Sequence, residues 1–214
     1  MLITGQTFIS LPHRSFESMS FYQLETARLR LRQWQPSDFP VFAQLNADAQ
    51  VMRYFPKCLS TAESQQLAMR FHDLIQEKQW GFWAVELKEN QQFIGFVGLH
   101  AQPEQFSFSP CVEIGWRLAQ QYWQQGYATE AAQACLAFAF EVLKLEAVVA
   151  FTAHSNLASV KVMQRLGMTY LQDFNHPALA QNDSLALHVL YQIKQDAFLA
   201  HPQSPWSYTI QTTN

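Results

Sequence analysis

The sequence has few cysteines and few glycines, no basic run and no long apolar run, and each shortage closes off a class of protein. Cys58, Cys111 and Cys135 are its three cysteines in 214 residues, and no two of them form a C-x-x-C pair. A disulfide framework or a cysteine-held metal needs paired spacings, so a reduced, cytoplasmic protein is expected. The seven histidines are scattered without ligand spacing, and no metal is expected. Fourteen Lys and Arg stand against seventeen Asp and Glu, a net charge of −3. With no Lys/Arg run or basic stripe, a nucleic-acid groove is not expected. A mildly acidic chain suits a cationic or amine partner. No apolar run reaches the roughly 18 residues that a membrane span needs. No basic segment followed by an apolar stretch marks a secretion signal near Met1. Seven glycines are too sparsely placed for the common phosphate loops, and neither G-x-x-x-x-G-K-[ST] nor G-x-G-x-x-G occurs.

What is present is a large apolar fraction, 49% of the residues, enough for one sizeable core and one domain. Seventeen Phe, six Trp and seven Tyr make a heavy aromatic load. Most of these rings serve core packing, and a few are candidates for the wall of a pocket.

The stretch around which the chain is organised runs from Val112 to Leu143. Val112, Ile114, Trp116 and Leu118 alternate with Glu113, Gly115 and Arg117, which reads as a strand. From Ala128 to Leu143 only Thr129, Glu130, Gln133 and Glu141 are polar, so a helix packed on most of its surface is expected. Between them lies a polar turn with one glycine, Gly126. A strand feeding a turn that opens a helix aims unpaired N–H groups and the positive end of the helix dipole at one point, where an anion such as a phosphate is favoured.

These residues resemble the acyl-CoA signature of the GCN5-related N-acetyltransferase (GNAT) superfamily, and most closely its ribosomal-protein (RimJ/RimL-like) branch. The family loop is Q/R-x-x-G-x-G/A. Trp123-Gln124-Gln125-Gly126-Tyr127-Ala128 matches its last Gly and Ala, with Trp at the leading position as in the ribosomal-protein branch. The preceding Glu113-Ile114-Gly115-Trp116, the following Thr129-Glu130-Ala131, and a later Asn156-x-x-Ser159 with Gly167-Met168 strengthen the match. The resemblance runs from about residue 24 to about residue 193.

Taken in order, Ala27 to Trp34 alternates as a half-buried strand whose arginines, Arg28, Arg30 and Arg32, read as solubilising. Pro36-Ser37-Asp38 opens a helix. Ser60 and Glu63 form a capping box for a second, amphipathic helix ending near Gln79. Trp80–Leu87 and Phe93–Ala101 read as a hairpin, with Gly95 and Gly98 marking a bulge or a close backbone approach. After the central strand and helix, Ala147–Ala153 reads as a buried strand. Ser155-Asn156 opens a helix closed by Gly167. Two further strands, Met168–Phe174 and Ser184–Ile193, and a short helix at 194–199 follow. The expected fold class is α/β: a single-domain acyl-CoA N-acyltransferase fold, with a mixed, mostly antiparallel sheet, helices on both faces and, by resemblance, a splayed parallel strand pair. Residues 1–23 are set apart as an N-terminal extension, 24–199 as the domain and 200–214 as a loose tail.

The resemblance implies acetyl-CoA as co-substrate and an amine acceptor: a protein N-terminus, possibly ribosomal, or a small molecule. It places the diphosphate on the backbone of Gln124, Gln125, Gly126, Tyr127, Ala128 and Thr129. It pairs the backbone of Trp116, Arg117 and Leu118 with the pantetheine arm. Glu113 is the candidate general base, and His100 and His154 are possible proton relays. The resemblance gives Asn156 a contact to the coenzyme. Where many family members carry a general-acid Tyr this chain has Met163, so Ser159 becomes the candidate for stabilising the leaving thiolate. Tyr54 and Phe55 are pocket candidates, because that part of the family fold overlies the acceptor cleft. No Ser or Cys stands in a nucleophile elbow, so direct attack in a ternary complex is expected. A monomer or homodimer fits. The rival is a non-catalytic module of the same fold that binds or senses acyl-CoA. A third reading, a binder of another phosphorylated ligand, predicts no competition from CoA.

Overall fold

A computed structural model describes residues 21–180, 183–200 and 207–213. Nine strands form one sheet in the order β7-β8-β6-β5-β4-β3-β2-β1-β9. They are β1 (Phe21–Thr26), β2 (Leu29–Arg32), β3 (Phe82–Leu87), β4 (Phe93–Gln102), β5 (Cys111–Leu118), β6 (Ala147–Ala153), β7 (Thr169–Asn175), β8 (Leu187–Lys194) and β9 (Tyr208–Thr213). All neighbours are antiparallel except β5 and β6. The helices are α1 (Asp38–Ala47), α2 (Thr61–Lys78), α3 (Tyr127–Glu141), α4 (Leu157–Arg165) and α5 (Gln195–Ala200).

Alternation along β3 sends neighbouring rings to opposite faces. Phe82 meets Phe71 of α2 at 5.0 Å, whereas Trp83 meets Phe138 of α3 at 5.3 Å. The sheet is therefore covered on both sides, α1 and α2 on one and α3 on the other. Apart from Gln133, α3 is buried from Glu130 through Phe140, as its nearly continuous apolar sequence requires. The capping box of α2 forms as read: Ser60 Oγ accepts from the Glu63 amide and Glu63 returns a bond to the Ser60 amide. In α4, the Asn156 side chain accepts from the Ser159 amide, and Gly167 closes the helix at a positive φ of 79°. Gly98 is a close approach, because a Cβ there would lie 2.0 Å from the Gly81 carbonyl oxygen.

Two regions differ from the sequence reading. The strand expected over 27–34 is present as β2 (Leu29–Arg32), and β1 (Phe21–Thr26) precedes it where no strand was expected, the chain turning at Ala27-Arg28. The cause is tertiary: Glu130 of α3, buried, accepts from the Thr26 hydroxyl (2.6 Å) and from the Arg28 amide (2.9 Å), and so bends the chain between them. The segment read as a loose tail contains β9, which pairs with β1 from Phe21↔Thr213 to Thr26↔Tyr208. β1 buries Leu24 and Thr26 and offers its outer edge to β9. Residues 1–20 of the expected extension lie outside the described residues. Among the described residues no helix is long and apolar enough to cross a membrane.

Candidate active site

The bend between β5 and α3 begins with a 3-10 turn at Gln120–Tyr122. The Trp123 indole N–H donates to the Leu118 carbonyl at 2.8 Å, tying the bend to the end of the strand. Gln124 and Gly126 both adopt positive φ, 60° and 83°, and Gly126 is the N-cap of α3. At those angles glycine carries no Cβ penalty. No side chain caps the helix, and its first amide bond is from Glu130 to the Gly126 carbonyl, 3.0 Å. The amides of residues 124–129 thus have no acceptor within the described protein. They sit at the positive end of a 15-residue, mostly buried helix, the arrangement that binds a diphosphate.

The Arg28 guanidinium lies at this bend. It holds Glu130 (Nε to Oε2 2.7 Å) and rests 4.3 Å from the centre of the Tyr127 ring, and a Cβ on Gly126 would come within 3.4 Å of its Nη2. It belongs to the candidate site, although the sequence reading took it for a solubilising residue. Its partner, Glu130, lies far along the chain, and nothing local in the sequence links the two.

β5 and β6 pair only at Glu113↔Val149. Beyond Glu113 the edge of β5 that faces β6 has no strand partner among the described residues. The Ala119 amide donates to Ile94 of β4 (3.0 Å), and antiparallel alternation then turns the amides of 113, 115 and 117 toward β4. Trp116 and Leu118 therefore face the open gap with their backbone. Arg117 does not, which corrects its assignment to the pantetheine: its peptide groups belong to the β4 ladder.

The side chains of Glu113 and Arg117 lie on the α1–α2 face, the face on which a Cβ at Gly115 would point. Glu113 is mostly buried, and this raises its carboxyl to about 7 despite a lowering hydrogen bond from Gln102. His100, its cross-strand neighbour, places Nδ1 3.6 Å from Oε1. Burial, with some help from Lys78 and Arg70, lowers the His100 imidazole. Both shifts favour neutral forms, so desolvation outweighs the attraction that would charge the pair. The Phe82 ring stacks on His100 at 5.7 Å and covers Gly115, where a Cβ would come within 3.1 Å of it. His154 is exposed at the end of β6 and is not part of this group. Of the two pocket candidates, Phe55 lies against Arg117, at 4.0 Å, whereas Tyr54 meets Arg53.

Asn156 and Ser159 come together as expected. Asn156 Nδ2 donates to Thr152 Oγ1 (2.9 Å) and to Ser159 Oγ (3.1 Å), and its Oδ1 accepts from the Ser159 amide (3.3 Å). Its polar atoms are thus engaged by the protein, while the Ser159 hydroxyl retains a proton to donate. Met163 is 1% exposed and packs in the core. An open depression of about 1030 Å³, lined by Arg32, Asp38, Glu86 and Gln92 among others, reaches the 3-10 turn at Gln120–Tyr122 but includes none of Glu113, His100, Arg117, Asn156 and Ser159. Its arginine is already held by Asp38 and Glu86.

Residues 28–169 match the model of the acetyltransferase (GNAT) domain. The chain is 30% identical to the protein YkkB of Bacillus subtilis (strain 168) over 163 residues, 72% of this chain and 91% of that one. Its fold is that of an acetyltransferase of the GNAT family from Bacillus anthracis: TM-score 0.70, 23% identity, 81% of this chain and 99% of that one. It is also similar to the spermidine N-acetyltransferase from Vibrio cholerae solved with CoA and spermine, with a TM-score of 0.63, 20% identity, and coverage of 80% of this chain and 98% of that one. The chain belongs to the GNAT family and is an N-acetyltransferase that uses acetyl-CoA.

Proposed function

We propose that this enzyme acetylates the amine of a protein N-terminus or a small molecule by direct attack in a ternary complex, with Glu113 as general base. The observation that carries the reading is the position of Glu113. It stands where β5 parts from β6, and its carboxyl, raised to about 7 by burial, can take a proton near neutral pH. Acetyl-CoA, when bound, supplies an activated acyl group and a thiolate leaving group. The amides of residues 124–129 and the dipole of α3 hold its diphosphate, with Arg28 beside them. The backbone of Trp116 and Leu118 takes the arm as an added strand, and an N–H there polarises the carbonyl. Glu113 accepts the amine's proton, directly or through one water, with His100 as its neighbour. Ser159 donates to the departing sulfur, and Asn156 holds Ser159 in place.

A covalent acyl-enzyme has little support. Burial pushes the Cys111 thiol up, the charge of Glu113 pushes it further, and Cys135 is buried within α3. The test is release of free thiol from acetyl-CoA across a panel of amines that includes N-terminal peptides of ribosomal proteins, amino acids and polyamines. Turnover with at least one amine, following sequential rather than ping-pong kinetics, is expected. CoA binding with no turnover on any amine would sink the reading.

A further inference from the structure

Every arginine of β2 has an acid: Arg30 and Arg32 share Glu86, and Arg32 also meets Asp38 at 2.7 Å. Arg117 has none. It makes no ion pair among the described residues, although burial is deep enough to lower it to about 10. Its Nη1 donates to Asn46 Oδ1 at 2.7 Å, and its plane rests on the Phe55 ring at 4.0 Å and near Phe96 at 5.4 Å. Arg117 Nε and Asn46 Nδ2 are both buried donors with no acceptor, and Asn46 is fully buried. Leaving such donors unpaired is costly, more so for a charged one. The strand also brings this cation to the substrate side. Arg117 lies on the same face as Glu113, four residues along, or about 13 Å at the rise of a strand. Gly115 and the ring of Phe82 lie between them. The cover is light: Phe55 is 39% exposed and belongs to a turn, not to a helix or strand.

We propose that the acceptor is an amine that also carries an anionic group, and that Arg117 and Asn46 hold that anion beneath Phe55 while Glu113 receives the amine. The shared chemistry is a carboxylate or phosphate oxygen accepting from Arg117 Nε and Asn46 Nδ2. A polyamine brings only positive charge to this cation and is disfavoured. The proposal rests on the acetyl-transfer reading above and narrows its substrate class to amines with a negative end.

The experiment compares, in the thiol-release assay, matched pairs of acceptors long enough to reach from Glu113 to Arg117: dipeptides to tetrapeptides against their C-terminal carboxamides, aminohexyl phosphate against aminohexanol, and spermidine alone. For the wild type, kcat/KM is expected to be at least tenfold higher for the anionic member of one pair, and which pair responds separates carboxylate from phosphate. In Arg117→Gln that ratio should collapse toward one, chiefly through KM for the anionic member. Arg117→Lys should restore part of it. Unchanged CoA affinity would establish that the variants are folded, and Phe55→Ala, which leaves both donors in place, should alter KM for the anionic acceptor without abolishing the preference. Equal rates within every pair, a preference for spermidine, or a ratio that survives in Arg117→Gln would overturn the proposal while leaving acetyl transfer intact. No thiol release with any amine would overturn both.

Discussion

Burying Glu113, the proposed base, has a cost to the fold, and the cost has a sign. Its carboxyl is raised from an ordinary value of 4.5 to about 7, so the native protein binds a proton there more tightly than the unfolded chain does. The contribution to stability is present in full below about pH 4.5 and is lost as pH rises through about 7. Catalysis runs the other way, because a base works only once deprotonated. Glu113→Gln should therefore lower turnover by about a hundredfold or more at neutral pH, the scale of general-base assistance. It should also flatten the rise in rate near pH 7 and leave CoA affinity unchanged. The same variant should gain stability over the wild type between pH 5 and 8, by up to about 3 kcal/mol for a shift of this size. Denaturant titrations at the two pH values and a pH–rate profile check both halves. An unchanged profile would remove Glu113 as the base. The place of Glu113 on β5 was legible in the sequence, because strand alternation sets which face it takes. Arg28 was not, since an arginine in a strand pattern looks solvated until its surroundings are known, and Arg117 was read for its backbone and not for its guanidinium. What places them is Glu130 for one, and Asn46 with Phe55 for the other.

At the scale of elements, the bend that opens α3 is braced by a single carboxylate. Glu130 takes the Thr26 hydroxyl, the Arg28 amide and two nitrogens of the Arg28 guanidinium, all at 2.9 Å or less. Glu130→Ala should cost about 2–3 kcal/mol, below the range for severing a fully buried pair, because Arg28 remains partly solvated. It should also weaken CoA binding, since Arg28 and the turn before β2 would no longer be fixed beside Gly126. Chemical denaturation and CoA titration of the variant measure the two effects, and normal CoA affinity would show that the brace is structural only. Helix starts and ends were readable from local chemistry: the Ser60–Glu63 box, the Asn156 cap and the Gly167 stop all form where the residues indicated. The turn between β1 and β2 was not, because Glu130 imposes it from α3. β9 escaped notice for a related reason: its residues are largely polar, and only pairing with the edge of β1 makes them a strand.

For the whole molecule, the order of elements and the alternation of Phe82 and Trp83 build a sheet with one face under α1 and α2 and the other under α3. The layered architecture followed from the sequence, and its parallel pair from the family pattern. The splay that the family pattern implied is seen in the single ladder pair, Glu113↔Val149, between β5 and β6. The account depends on the bend at Gly126 gripping the diphosphate of CoA, and a ligand held there stabilises the entire fold. The most direct measurement is the thermal midpoint of the wild type and of Gly126→Val with and without CoA. At about a hundred times its Kd, CoA should add about 2.7 kcal/mol, or roughly 5–10 °C, to the wild type. Gly126→Val puts a β-branched side chain at a φ of 83° and into the space beside Arg28; it should remain folded, start lower by a few degrees, and show no shift with CoA. A folded Gly126→Val protein that CoA stabilises as much as it does the wild type would contradict the account.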